Sequence, residues 1–177
     1  MSSLVIVDNN DSVIGHADYE SVHTNGLLHR FVLVYVFDKE GRFYLQKRAE
    51  VKPHGGLFAE SLCAHVKGWE DYIDTAKRRM KEELGFSDSD WINLSELTKT
   101  RVSTEKNGWK NNAFVKIYEC TVTHEPEINK SEVQDGHFYP LEKVIELFHW
   151  SPDSFVPGFK TTFETYLKVK KELGSKG

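Results

Sequence analysis

The sequence predicts an α+β fold, a mixed central sheet with helices packed against it, and three observations predict it. Phe31 to Phe37, FVLVYVF, is β-branched or aromatic at nearly every position, the composition of a central strand. Ile73, Ala76, Met80 and Leu84 recur at three- and four-residue steps, which makes one apolar helix face. Pro157 to Leu173 carries Phe159, Phe163, Tyr166 and Leu167, a terminal helix able to cover the sheet. The order, strands then helix, strands, then helices, runs without repeat or linker. Residues 1–177 are therefore expected to form one domain with a short N-terminal strand extension and a C-terminal helix.

Each element follows in turn. Leu4 to Asp8 is a short apolar run ending in the turn-prone Asn9-Asn10-Asp11, and Val13 to Gly15 resumes it, so a small hairpin is expected. His23 and His29 lie where the chain enters the Phe31 strand. Asp38-Lys39-Glu40-Gly41 predicts a hairpin turn into Phe43 to Lys47, followed by the loop Pro53-His54-Gly55-Gly56. Cys63 to Phe86 reads as a strand, a loop carrying Glu70, and a helix with Asp71 as N-cap and Gly85 just past its end. Arg101 to Thr104 and Ala113 to Val122 are expected strands around a polar loop, Glu105 to Asn112. On the second of these, Phe114, Lys116 and Tyr118 are assigned to one face, and Val115, Ile117 and Cys120 to the other. Val133 to Pro140 gives a short strand and Leu141 to Leu147 a short helix broken at Pro152-Asp153-Ser154. Gly174 to Gly177 is an expected frayed tail.

Composition narrows the function classes. The 177 residues are 39% hydrophobic and 28% charged, as in a soluble globular protein. The net charge of −4 argues against broad electrostatic binding of a nucleic acid polymer. No apolar run reaches the length of a membrane span, and MSSLVIVDNND is not built like a signal peptide, so a cytoplasmic location is expected. The two cysteines, Cys63 and Cys120, have no metal-type spacing and form no disulfide framework. Oligomeric state is not legible.

The helix of the Cys63 to Phe86 stretch ends in acids where stability alone would not put them. Glu82 and Glu83 face the negative end of the helix dipole, and their i,i+4 partners Arg78 and Arg79 stand in the weaker order. A solvated face is the ordinary reading of a charge run, whereas a divalent cation would relieve both conflicts. The stretch resembles a Nudix box: Glu70, Arg78, Met80, Glu82, Glu83, Gly85 and Phe86 fall on its pattern. Ala64 departs from the first Gly, and Arg79 from the first Glu of Arg-Glu.

That resemblance implies an α/β/α sandwich and a metal-dependent diphosphohydrolase acting on a small organic, nucleotide-type diphosphate. Glu82, Glu83 and the carbonyl of Ala64 would hold Mg2+ or Mn2+, with Glu82 and Glu83 catalytic. Arg48, Lys52 and Arg79 would bind the phosphates, Glu70 would fix the loop or Arg78, and a general base would come from within Glu127 to Asp135. Residues 20 to 160 also resemble the type 1 isopentenyl-diphosphate isomerase branch, through Ser61-Leu62-Cys63-Ala64-His65 and Arg78-Arg79. That branch implies a Zn2+ or Mn2+ site at His23, His29 and His65, with Cys63 handling a proton. Its Glu-Asn-Glu acids have no counterpart in Trp109-Lys110-Asn111-Asn112-Ala113, so hydrolysis ranks above isomerisation, and a non-catalytic diphosphate sensor is a further alternative.

Overall fold

The computed structural model describes residues 3–175. Strand β1 (Leu4–Val7) pairs antiparallel with β2 (Val13–Ala17), the expected hairpin. Helix α1 (Tyr19–Asn25) follows, then β3 (Leu28–Phe37), the strand on which the sheet is assembled. β3 pairs parallel along its whole length with β8 (Trp109–Val122) and antiparallel, over Phe31 to Val34, with β6 (Leu62–His65). Buried on both faces, it alternates its side chains between two cores.

On one side, Val32, Val34 and Val36 meet α2 (Tyr72–Leu84) through Ala76, Met80 and Leu84. Met80, Leu84 and Phe86 are 0% exposed, and each such burial contributes about 1.5–3 kcal/mol. On the other side, Leu33, Tyr35 and Phe37 meet Phe159, Phe163 and Tyr166 of α4 (Phe159–Gly174) and Val144 of α3 (Leu141–Trp150). A mixed sheet between helical layers is thus the observed architecture. The box helix begins and ends as read: Asp71 accepts from the Asp74 N–H, and Gly85, at φ 73°, donates to Lys81 and Met80.

Three local readings change. The Asp38 to Gly41 turn forms, but β4 (Phe43–Arg48) pairs with β3 only at Phe37–Phe43 and then diverges to pair with β9 (Val133–Tyr139). The polar loop Glu105 to Asn112 is in fact a two-residue turn, Asn107-Gly108, both at positive φ, joining β7 (Trp91–Lys106) to β8. Cys120 lies with Tyr118 in the α2-side core, because residues of like parity share a strand face. Of the expected tail, Gly174 ends α4 and 176–177 fall outside the described residues.

Candidate functional site

The divergence of β3 and β4 makes the site. The segment holding β5 (Phe58–Ala59) and β6 fills the opening, and the Ser61 hydroxyl bridges it, accepting from Val36 N–H (3.0 Å) and donating to Tyr44 C=O (2.5 Å). This delivers Glu60, Cys63 and His65 to one place. The registers do the rest: Phe31 faces His65, while His29 faces Ala113 and Phe31 faces Val115. Residues directly opposite share a face, so His29, His65, Asn111 and Ala113 point the same way. His23 arrives from the last turn of α1, which Asp18 caps and Gly26, at φ 66°, ends.

The three histidines present their ligand atoms within 4.8 Å of one another, and among the described residues they are the one group of three or more His, Cys, Asp or Glu side chains so arranged. His23 Nδ1 lies 2.9 Å from Tyr19 C=O and His29 Nδ1 2.9 Å from Leu27 C=O. Both therefore carry their proton on Nδ1, which leaves Nε2 as a lone pair. His65 Nε2 supplies the proton of its 3.2 Å contact with His23 Nε2. Burial keeps all three neutral, His29 down to about 4 and His65 well below the usual imidazole range. Trp109 stacks on His23 and Phe31 packs edge-on to His65, so the surroundings are apolar. Neutral imidazoles with oriented lone pairs fit a borderline divalent cation.

Beside them lies a largely apolar cavity of ≈ 130 Å³, lined by Phe31, Leu33, Val115, Val156, Cys63 and Glu60 among others. Burial pushes the Cys63 thiol up to about 11, against the pull of Arg48, whose Nη1 donates to its Sγ at 3.3 Å. Glu60, 2% exposed and bonded by the Thr162 hydroxyl, is also pushed up by burial. The sequence reading passed over Glu60, although an acid inside the apolar run Leu57 to Leu62 was the available signal.

A cleft of ≈ 390 Å³ opens next to the cavity, sharing Tyr19, Phe31, Arg48, Cys63 and His65, and it is lined by Arg48, Lys52, Lys67, Arg78 and Arg79. Arg48, Lys52 and Arg79 thus converge, and Ala64 lines the same cleft. Glu82 and Glu83 are held by arginine. Arg79 binds Glu83, Glu132 (3.1 Å) and Glu82 (3.0 Å), while Arg78 reaches Glu82 at 2.8 Å and Glu70 through Nε and Nη2 at 2.5 and 3.0 Å. Burial opposes the Arg79 charge, but Glu83 and Glu132 outweigh it. Burial also raises Glu132, yet Lys52, at 2.7 Å, and Arg79 bring it below the usual carboxyl range. The buried Nε–H of Arg79 has no acceptor among the described residues. As donors, the paired carboxylates suit a hard cation such as Mg2+.

The family model described as NUDIX domain matches residues 27–159, which hold strands β3 to β9, the box helix and most of the residues lining the cleft. The chain belongs to the Nudix family. Its membership as an enzyme agrees with its relatives: it is 44% identical over 174 residues to the isopentenyl-diphosphate Delta-isomerase of Serratia proteamaculans, covering 97% of this chain and 91% of that one. It is 30% identical over 165 residues to the isomerase of Pectobacterium atrosepticum, covering 92% and 90%. The solved structure of DR0079 from Deinococcus radiodurans superposes with a TM-score of 0.69 at 18% identity, covering 83% of this chain and 88% of that one, which shows the Nudix fold. No helix among the described residues is long and apolar enough to cross a membrane.

Proposed function

We propose that this Nudix enzyme binds a small organic diphosphate along the basic cleft, places its organic end in the apolar cavity, and hydrolyses the phosphoanhydride bond. The observation that carries the reading is Arg79: it lines a cleft together with Arg48 and Lys52, and its buried Nε–H has no partner among the described residues. Three guanidinium or ammonium groups match the charge of a diphosphate, and an orphaned buried donor needs an acceptor.

Glu132 fits the role of general base. Phosphate oxygens that take over Lys52 and Arg79 would free its carboxylate and make it more basic. Water then forms a new P–O bond, its proton passes to Glu132, and the bridging P–O bond breaks with the leaving phosphate taking the electron pair. Glu82, Glu83 and the Ala64 carbonyl are the groups that would hold Mg2+ or Mn2+, whose contribution when bound is to neutralise phosphate charge. Arg48, Lys52 and Arg79 orient the diphosphate and stabilise the charge that develops on it.

A phosphate-release screen over nucleoside di- and triphosphates, dinucleotides, sugar nucleotides and prenyl diphosphates, with Mg2+, Mn2+ and Zn2+ compared, tests this reading. Release of phosphate or a monophosphate is expected, with Glu132→Gln slower by about 10²-fold or more. Glu83→Gln protein as active as wild type would overturn the assignment of the box acids.

A second reading is isomerisation, favoured by Cys63 on the apolar cavity wall and by the isomerase relatives. Against it, the segment Trp109 to Ala113, whose Ala113 lies opposite His29, offers no acid where the isomerase branch has its Glu-Asn-Glu. Conversion of isopentenyl to dimethylallyl diphosphate, lost in Cys63→Ala, would establish it, and no conversion at high enzyme concentration would discard it.

A further inference from the structure

The apolar cavity has one acid in its wall, and no cation is bonded to it. Glu60 is 2% exposed and lines the cavity with Leu33, Val102, Val115 and Val156, whose side chains offer no polar atom. The hydroxyl of Thr162, also buried, is its one side-chain partner among the described residues, and it meets Oε1. The charge of Arg48 reaches Glu60, but that guanidinium is bonded instead to Pro53 C=O and Cys63 Sγ.

The Thr162 hydroxyl also lies 3.0 Å from Phe159 C=O. It can therefore donate to an ionised Glu60, or donate to Phe159 and accept from a protonated Oε1. In either state Oε2 is left as an acceptor with no side-chain donor. A buried acceptor in that condition carries a penalty that a donor on a ligand removes.

Position supplies the other half. Glu60 and Thr162 line the cavity and not the cleft, whereas Lys52 and Arg79 line the cleft and not the cavity. A diphosphate held by Lys52 and Arg79 thus lies apart from the acid, which would repel it. The organic group would run toward Glu60 past Arg48 and Cys63, which line both spaces.

We propose that Glu60 determines specificity for the organic end, selecting diphosphates whose apolar chain terminates in a hydrogen-bond donor, a hydroxyl or an ammonium, over those that end in hydrocarbon. The inference rests on the proposed placement of the diphosphate in the cleft, and not on the hydrolytic step. A hydrocarbon end leaves Oε2 unpaired out of water, whereas a donor end satisfies it, and sites built around a buried polar group discriminate strongly on that difference.

Methylenebisphosphonate esters, whose P–C–P bridge resists hydrolysis, separate binding from turnover. Calorimetric titration of the full-length protein with Mg2+ present compares the n-butyl, 4-hydroxybutyl and 4-aminobutyl esters. The two donor-bearing esters should bind about 10-fold more tightly than the butyl ester, and a preference for one of them alone would name the donor. Glu60→Gln keeps an acceptor without the charge, so it should retain the hydroxyl preference and lose the ammonium one. Glu60→Leu, checked for folding by circular dichroism, should prefer the butyl ester. Wild-type protein that binds the butyl ester as tightly as both others overturns the proposal. So does a donor preference that survives in Glu60→Leu or, should that variant not fold, an ammonium preference that survives in Glu60→Gln. Binding of no ester overturns the cleft placement and this inference together. The expected binding pattern, with no phosphate released from the corresponding diphosphate esters, would sink hydrolysis and leave the role of Glu60 standing.

Discussion

The two charged regions of this molecule solve opposite problems. In the box, Glu82, Glu83 and Glu132 surround Arg79, so carboxylates that would otherwise repel one another are bridged by a cation belonging to the chain. At the histidine cluster, three buried neutral imidazoles converge, with one proton between His65 and His23, and His29 Nε2 has no hydrogen-bond partner among the described residues. Each region keeps an unpartnered buried atom, the Arg79 Nε–H beside the acids and His29 Nε2 among the imidazoles. The comparison also reverses the expectation drawn from charge alone, because the acidic region is the better satisfied of the two.

Removing the internal cation is the most severe way to break this contrast. Glu83 has a side chain only 5% exposed, and Arg79→Ala would leave it without its partner. Breaking a buried pair costs about 3–5 kcal/mol; because Arg79 and Glu82 are partly exposed, about 3 kcal/mol is expected here. In thermal unfolding that is a Tm lower by about 6–12 °C. Mg2+ should then recover part of the loss, by binding the freed carboxylates, and should raise the wild-type Tm much less. Equal Mg2+ stabilisation of both proteins would mean that Arg79 does not occupy the cation's place.

The difference between the regions also decides what the sequence could reveal. The box helix was legible because its signals are local: the apolar step from Ile73 to Leu84, Asp71 before it and Gly85 after it. Helix α1 was missed although Asp18 and Gly26 carry the same cap chemistry, because only Val22 and His23 of its residues are buried and no apolar period shows. β7 was legible only in part for a similar reason: along Trp91–Lys106 only Val102 is buried, so the alternation that marks a half-buried strand is absent. Asn107-Gly108 was the readable signal there. Arg48, Lys52 and Arg79 could be nominated by resemblance, but Glu132, which lies 53 positions from Arg79, could not be chosen from its acidic loop. Pairing across the sheet sets such contacts, and no local pattern encodes it.

A smaller effect sharpens the contrast from the cavity side. Glu60 is a buried acid whose bonded partner is Thr162 rather than a cation, and burial raises its folded-state pKa. The folded state thus binds the proton more tightly than the unfolded chain. Stability from this group is fully present below the unfolded value of about 4.3 and falls as pH rises through the folded value. Glu60→Gln, which keeps the shape without the charge, should raise Tm by a few degrees at pH 8 and leave it unchanged near pH 4. A gain that persists at pH 4 would assign the effect to packing rather than ionisation.

The gentlest test uses Cys63, on the border between the two regions, where the apolar cavity raises the thiol and Arg48 lowers it. With burial dominant and the thiol near 11, against about 8.5 for a free cysteine, its thiolate fraction at pH 7.5 is lower by roughly 10²-fold. Iodoacetamide should accordingly modify Cys63 slowly at pH 7.5, followed by mass spectrometry in a Cys120→Ser background. The rate should rise about tenfold per pH unit and level off only near pH 11, rather than near 8.5 as for a free cysteine. Arg48→Ala removes the one group donating to the sulfur and should slow alkylation further at equal exposure. Faster reaction in that variant, with unchanged Tm, would show that Arg48 shields the thiol rather than stabilising its anion, and would place Cys63 under the influence of the cavity alone.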